Sequence, residues 1–527
     1  MATAARSLLP IRHFSVPLPG TATFSTLHTA AAAAAAAAAG EAGQQAPLWS
    51  GNGSRGAGGS AACKRVAVGI SGGVDSAVAA LLLQRQGHEV VGVFMRNWDE
   101  GEEQGNENCS VEQDLRAAAA VCRQLDIPLH EADFVSAYWT QVFAEFIAQC
   151  SRGLTPNPDL ACNRHIKFGA LLAFAERLGA HTVATGHYAQ LAPGSGSGEV
   201  QLLRGADRGK DQTYFLASVQ QAALRRVLFP IGHLQKPEVR RLAAEAGLAP
   251  ADRRSSAGIC FIGRRDFGDF LSQYISPQPG RYVDVDSGTV LGPCPDVAAV
   301  THGQRPGIGG APERVYAVGK DVVQGIVYVA HGGQHPALLC TAALLRTPHW
   351  LSWEHAARLA ARGWLRCEYR ARYGQQPKPC TLHALDTQAA AELASRAAEA
   401  ADATAALPAE LAAGPAAADA SCAAGAAAAP DAAGAAEAAG EAAARLGFQA
   451  SAYCRLRPED SVALPSYLVV QFDSPATAIT PQQAFVLYDQ ERCLGTALIA
   501  QPGRSLHETA ANKAAGAEAV AAGGNGL

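Results

Sequence analysis

The chain predicts an α/β domain built on a doubly wound parallel sheet, followed by two β-rich domains. Three observations carry that expectation. Apolar strand-like runs alternate with amphipathic helical patterns from residue 64 to about 190. A glycine turn joins the first strand to the first helix. After about residue 275 the pattern changes to short β-like runs separated by Gly and Pro turns.

The elements follow in order. Val66–Ile70 is a continuous apolar run, as suits a strand covered on both faces. Residues 77–86 read as a helix closed by Gly87, and Glu89–Met95 as a second strand. Helical periodicity returns over Glu112–Leu125, and Ile127–Ala132 is a third strand. Helices are expected over 136–150 and Ile166–Leu178, with a strand over His181–Thr185. Further on, Arg281–Val285, Val315–Val318, Ile326–Ala330, Leu365–Arg372, Tyr467–Phe472 and Ala484–Tyr488 carry strand patterning. The expected domains are therefore an α/β domain over 63–275, a small β-rich domain over 276–336 and a C-terminal β-barrel over 337–503. Residues 389–447, mostly alanine with scattered Glu, Asp, Gly and Pro, interrupt the barrel. Residues 504–527 are expected as a disordered tail. These alanine-rich stretches have too little large apolar surface to offset the entropy of ordering them.

Net charge is −4, but 389–447 alone contributes eight acids and two bases, leaving the remainder slightly basic. Overall charge therefore does not argue against RNA, which needs a local basic surface only. Residues 1–62 lack strand or helix periodicity. Their first 40 residues carry Arg6, Arg12 and many hydroxyls, with no acid before Glu41, which is the composition of an organelle transit peptide. A mitochondrial or chloroplast destination is expected, and no run reaches the length and hydrophobicity of a membrane span. Thirteen cysteines without a single Cys-x-x-Cys argue against a disulfide scaffold, a zinc ribbon and the usual iron–sulfur spacings, so no metal site is expected.

The chemistry concentrates in three motifs. The first is Gly69-Ile70-Ser71-Gly72-Gly73-Val74-Asp75-Ser76, a strand–turn–helix junction. Such a turn presents backbone N–H groups and a helix N-terminus to one anion, with hydroxyl donors from Ser71 and Ser76. No lysine follows, so it is not the Gly-Lys-Ser/Thr loop of the common NTPases. In a doubly wound sheet it falls at the carboxyl ends of the strands, where ligands bind. Met95, closing the second strand, belongs either beside a bound adenine or in the core. The second motif is Thr155-Pro156-Asn157-Pro158-Asp159, which opens a helix with Asp159 expected as its N-cap. Cys162 then lies in the first turn, where the helix dipole, Arg164 and Lys167 favour a thiolate. The third is Gly258-Ile259-Cys260-Phe261-Ile262-Gly263. Two cysteines that can meet support thiol–disulfide exchange and can carry a persulfide. Between them lie Ala184-Thr185-Gly186-His187-Tyr188 and Lys210-Asp211-Gln212-Thr213-Tyr214-Phe215, the latter mixing bases with aromatics as RNA contacts require.

Together, SGGVDS, VFMRNW, TPNPDxxCN, IKF, ATGHY, KDQ-YF, LFP-G, KPEVR, GICFIG, GQRPG, TP-Q and CLG resemble the tRNA-specific 2-thiouridylase family, organellar in type, from about Lys64 to Ala500. That resemblance implies a Rossmann-like fold of the pyrophosphate-loop ATPase type, with small β and β-barrel domains behind it. It implies that Gly69, Ile70, Ser71, Gly72, Gly73, Val74, Asp75 and Ser76, with Met95 and Gly186, hold ATP, accompanied by Mg²⁺. Asn157, Pro158 and Asp159 would face the target base, Asp159 as an acid or base. Cys260 would carry the persulfide and Cys162 would be its partner nucleophile. His187, Lys210, Asp211, Gln212, Arg372, Tyr373 and Gln483 would touch tRNA. The implied reaction adenylates the C2 oxygen of the wobble uridine and replaces it with sulfur from Cys260, with a cysteine desulfurase or sulfur relay protein as donor. Three departures stand out: Ser255-Ser256-Ala257 replaces a stretch with an acid and a threonine, Gln482 stands where glycine is usual, and Thr496-Ala497 replaces glycines. NAD and GMP synthetases share the first motif but need no cysteine pair. A catalytically silent RNA-binding protein is the alternative of a different class.

Overall fold

The computed structural model describes residues 64–98, 110–194, 198–249, 261–262, 265–310, 313–385, 448–449, 451, 454–455 and 467–512. The leader, the segment holding Cys260 and the three residues before the GICFIG motif, and the whole alanine-rich insert 389–447 lie outside them.

The α/β domain is built on β1 (Arg65–Gly69), β2 (Glu89–Arg96), β3 (Leu129–Asp133) and β4 (Thr182–Ala184). Next come β5 (Ala189–Pro193), β6 (Val200–Arg204) and β7 (Val227–Leu228). The sheet order is β3-β2-β1-β4-β7, with every pairing parallel. Side chains of β1 alternate between two cores. Val66 and Val68 pack with α1 (Val74–Arg85) and α2 (Ser110–Gln124), while Ala67 packs with Ile166, Leu171 and Val183 on the other face. Helices on both faces explain why β1 is apolar along almost its whole length. Strand order reverses at β1, with β2 on one side and β4 on the other. The 69–76 loop and the 185–188 loop therefore emerge side by side at a topological switch point.

The small β domain comprises β8 (Gly280–Asp284), β9 (Val290–Cys294), β10 (Val315–Asp321) and β11 (Ile326–His331). The C-terminal domain comprises β12 (Leu339–Trp350), β13 (Trp364–Arg370), β14 (Lys378–Ala384), β16 (Tyr467–Thr477), β17 (Ala484–Asp489) and β18 (Arg492–Pro502). Between β14 and β16, β15 (Cys454–Arg455) joins the edge of the small β sheet instead. The six strands close into a barrel because β12 pairs with both β16 and β18. Closure leaves no aggregation-prone edge within the barrel.

Two features differ from expectation. The β5–β6 hairpin, read as part of the α/β domain, extends the barrel's sheet through Leu202 and Leu203 against Cys493 and Arg492. Strand pairing can join segments far apart in sequence, and nothing local announces it. The tail after 504 begins with a helix over 506–512. Ser505-Leu506-His507-Glu508 is a capping box: the Ser505 amide donates to Glu508 Oε2 at 2.7 Å, and the Glu508 amide donates to Ser505 Oγ at 3.2 Å.

Half-buried histidines help join the domains. His302 Nδ1 donates to the Ile479 carbonyl at 3.2 Å, and His349 Nε2 to the Val219 carbonyl at 3.3 Å. Burial pushes both imidazoles down to about 4, and pushes His187 well below its ordinary value. The unfolded chain therefore takes up protons near pH 6.5 that the folded chain refuses. Stability is expected to be flat above about pH 6.5 and to fall toward pH 4, each imidazole contributing up to about 1.4 kcal/mol per pH unit. Urea midpoints at pH 7.5, 6 and 5 check this; an unchanged midpoint at pH 5 contradicts it.

Candidate active site

The 69–76 loop is held from several sides. Gly72 adopts φ +72°, a conformation that favours glycine. Ser76 Oγ accepts from the Ser71 amide at 3.2 Å and donates to the Gly73 carbonyl at 3.0 Å, which closes the turn. Ile70 N donates to the Val93 carbonyl at 2.8 Å, fastening the loop to β2. Gly186 comes so close that a Cβ there would lie 2.6 Å from the Asp75 carbonyl carbon and 2.7 Å from Ser76 N. Met95 Cε approaches Gly69, 3.5 Å from where a Cβ would stand, so the expected nucleotide residues Gly69–Ser76, Met95 and Gly186 form one contiguous patch.

Asp75 introduces two residues that motif reading did not assign. Lys236 Nζ lies 2.6 Å from both Asp75 carboxylate oxygens, and Tyr188 OH donates to Asp75 Oδ1 at 2.7 Å. Both residues sit in motifs quoted above, KPEVR and ATGHY. Their role is visible only once residues 113 and 161 positions apart from Asp75 are brought together.

The second centre is the helix that begins at Pro158. Its cap is Asn157, whose side chain accepts from the Asp159 amide at 3.1 Å, and not Asp159 as expected. Proline at the first helical position needs no N–H partner, so the cap falls one residue before it. This leaves the Asp159 carboxylate unspent and facing a cavity. Desolvation raises the Asp159 carboxyl above its ordinary value against the pull of Lys167, the state expected of a proton-transferring acid. After Pro158–Ala161 the helix widens into a π-helical stretch, Cys162–Ala170, a distortion frequent at functional sites. Cys162 is buried at its start, one turn beyond Asp159. Asn163 stitches the helix to the neighbouring turn, donating to the Asp159 and Phe215 carbonyls at 2.9 and 3.2 Å.

The cavity, of about 400 Å³, is the size of a small-ligand pocket. Asn157, Pro158 and Asp159 of the α/β domain and Arg372, Tyr373 and Gln483 of the barrel line it together. Aromatic rings supply stacking surface: Phe215 and Tyr373 lie with centroids 4.5 Å apart, and Phe146, Tyr214 and Phe267 also line the cavity. Gln483 Nε2 donates across the domain boundary to the Thr155 carbonyl at 2.7 Å. Phe146 and Phe267 carried no sequence signal beyond apolarity.

Cys260 lies outside the described residues. Its neighbour Phe261 is fully buried among Trp98, Tyr138, Phe143, Phe146 and Phe270, with ring centroids 5.2 to 6.0 Å away. Phe146 belongs both to this cluster and to the cavity wall. No disulfide is formed among the described residues.

Not every expected RNA contact is at the surface. Lys210 is exposed and Gln212 half-buried, its Oε1 accepting from the Tyr188 amide at 3.0 Å. His187 is buried, with Nδ1 2.7 Å from Thr185 Oγ1. Asp211 is enclosed, and both its oxygens accept from protein donors, so in this conformation its carboxylate does not face RNA.

Gln482, the departure from glycine, has φ +71°. Its side chain accepts from the Arg346 guanidinium, a charge-assisted bond that glycine could not make. The bond is worth about 1.5–3 kcal/mol, against about 1–2 kcal/mol for left-handed backbone. Gln482→Gly is therefore expected to destabilise by about 1 kcal/mol in urea unfolding; a more stable variant contradicts this ranking.

Comparison with known proteins matches the domains in order. Residues 64–264 match the family profile described as tRNA methyl transferase HUP domain, 268–331 the tRNA methyl transferase PRC-barrel domain, and 449–499 the aminomethyltransferase beta-barrel domain. Proteins named tRNA-specific 2-thiouridylase MnmA are similar. That of Shigella boydii serotype 18 is 45% identical over 330 residues, covering 61% of this chain and 87% of the relative. That of Streptococcus agalactiae serotype III is 46% identical over 331 residues, covering 62% and 86%. Among the described residues no helix is long and apolar enough to cross a membrane. With its α/β domain, small β domain and closed barrel matched in order, the chain belongs to the tRNA-specific 2-thiouridylase family and is an enzyme.

Proposed function

We propose that this protein uses ATP to replace the C2 oxygen of the wobble uridine of tRNA with sulfur delivered as a persulfide on Cys260. The observation that carries the reading is the cavity, lined by Asn157, Pro158 and Asp159 together with Arg372, Tyr373 and Gln483 of the barrel, with Cys162 one helical turn beyond Asp159. A base turned out of the anticodon stack fits a chamber of that volume and finds rings to stack on.

The nucleotide patch fits ATP because the Gly72 turn and the crowded Gly186 contact keep side-chain bulk out of the loop, and the start of α1 offers backbone N–H groups to phosphate. ATP supplies the leaving group, and Mg²⁺ accompanies it as counterion. The uridine oxygen displaces pyrophosphate and becomes an adenylate ester. Asp159, with its raised carboxyl, exchanges the N3 proton as the ring changes charge. The outer sulfur of the Cys260 persulfide adds at C2, and AMP leaves with the original oxygen. Cys162 then attacks the Cys260 sulfur, which frees the thiocarbonyl and leaves a Cys162–Cys260 disulfide. In the other order, Cys162 attacks first and releases hydrosulfide, which adds at C2. Either route ends in a disulfide that a thiol reductant must reopen before the next cycle.

The sulfur donor is a persulfide-carrying protein, a cysteine desulfurase or a relay carrier. The first 40 residues, arginine-bearing and free of acids, support import into mitochondrion or chloroplast. The test is thiolation of unmodified tRNA with ATP, Mg²⁺ and a persulfide donor, read as retardation on a mercury gel. Retardation dependent on ATP is expected; none, with a donor competent for another thiolase, overturns the reading.

A further inference from the structure

The carboxylate of Asp211 accepts from five donors. Its side chain is fully buried and accepts from Arg370 Nη1 at 2.6 Å, Arg204 Nε at 3.3 Å, the Gly205 and Thr213 amides at 3.2 Å each, and Thr213 Oγ1 at 2.8 Å. These donors come from different parts of the fold. Arg204 ends β6, Arg370 ends β13 of the barrel, and Thr213 opens the helical turn Thr213–Leu216 of the α/β domain. Thr213 Oγ1 also lies 3.1 Å from Tyr488 OH on β17.

Arg370 carries the constraint onward. Its second guanidinium nitrogen donates to the Tyr373 carbonyl, and its carbon lies 5.9 Å from the Tyr373 ring centroid. Tyr373 in turn meets Phe215, two residues beyond Thr213, with both rings lining the cavity. A parallel pin runs from Tyr214 OH to the Ala484 and Ala371 carbonyls at 3.1 and 3.4 Å. A buried ion pair is a poor source of net stability, because desolvation offsets its Coulombic gain, but it fixes geometry well.

We propose that Asp211, acting through Arg370, is a positioning residue for the cavity. It sets Arg372 and Tyr373 of the barrel relative to Asn157–Asp159 so that a turned-out base is held in register. This deepens the thiouridylase reading and rests on it. Arg370 is needed because its planar fork reaches Asp211 with one nitrogen and the Tyr373 carbonyl with the other, which lysine's single ammonium cannot reproduce.

The experiment compares wild type, Asp211→Asn and Arg370→Lys in the full-length protein. The readouts are tRNA Kd by filter binding, single-turnover thiolation at saturating tRNA, and fluorescence of tRNA carrying 2-aminopurine at the wobble position. A 1 Å error at a reacting centre costs about a hundredfold, so thiolation should fall by roughly ten- to a hundredfold. Kd should stay within about twofold, and the 2-aminopurine signal on binding should drop. Arg370→Lys, which keeps a positive charge beside Asp211, should show the same split. Should Asp211→Asn not fold, Arg370→Lys alone decides. The inference is overturned if Kd rises in step with the rate loss, as for a direct RNA contact, or if no readout changes. A wild type that never thiolates instead sinks the thiouridylase reading, while the 2-aminopurine signal still reads the cavity wall.

Discussion

Replacing either Cys162 or Cys260 with serine is expected to lower single-turnover tRNA thiolation by at least about a thousandfold, while tRNA binding stays within about twofold. A hydroxyl preserves the size of the thiol but neither carries a second sulfur nor exchanges with a persulfide. The two variants should fail differently. Charged with ³⁵S from a labelled donor, Cys260→Ser should hold no label that a reductant can remove. Cys162→Ser should hold the label and stall. Cys162 is buried at the start of a π-helical stretch, one turn from Asp159, which argues against its being a surface acceptor of sulfur. A serine variant that continues to turn over would remove that cysteine from the mechanism.

The second large effect is expected at Gly186. Its missing side chain lets the 185–188 loop press on the 69–76 loop, and an added methyl would meet backbone atoms of Asp75 and Ser76 at 2.6 to 2.9 Å. Real Cβ atoms do not make such contacts, and backbone cannot rotate away as a long side chain can. Gly186→Ala should therefore displace the loop and cut tRNA-dependent pyrophosphate release by at least about a hundredfold. Gly186 is not among the residues lining the cavity, so tRNA affinity should be retained. Normal pyrophosphate release by Gly186→Ala would place the nucleotide elsewhere.

The legible parts of this protein were those whose physics is local. The strand–turn–helix at 65–85 was readable because a buried parallel strand is uniformly apolar and its turn needs glycine. The β5–β6 hairpin looked like part of the α/β domain, since its pairing with β18 depends on residues almost 300 positions away. Asp159 was expected as a cap because it precedes the helical pattern, yet Pro158 shifted the cap to Asn157 and turned Asp159 toward the cavity. Asp211 was placed at the RNA surface on its motif alone, and its burial follows from Arg370 and Arg204, which no sequence window joins to it. Lys236 and Tyr188 lay in recognised motifs but acquired a role only through their shared contact with Asp75. Phe146 and Phe267 have no local mark that separates a cavity lining from an ordinary core.

The central claim is that ATP activates the C2 oxygen so that sulfur can displace it. The most direct measurement uses tRNA whose wobble uridine carries ¹⁸O at C2, followed by mass spectrometry of the AMP released during one turnover. Activation at that oxygen predicts that the label leaves the tRNA and appears in the AMP phosphate, one atom for each sulfur inserted. Unlabelled AMP alongside thiolated tRNA would contradict the account, because the oxygen would then have departed without ever being joined to the nucleotide.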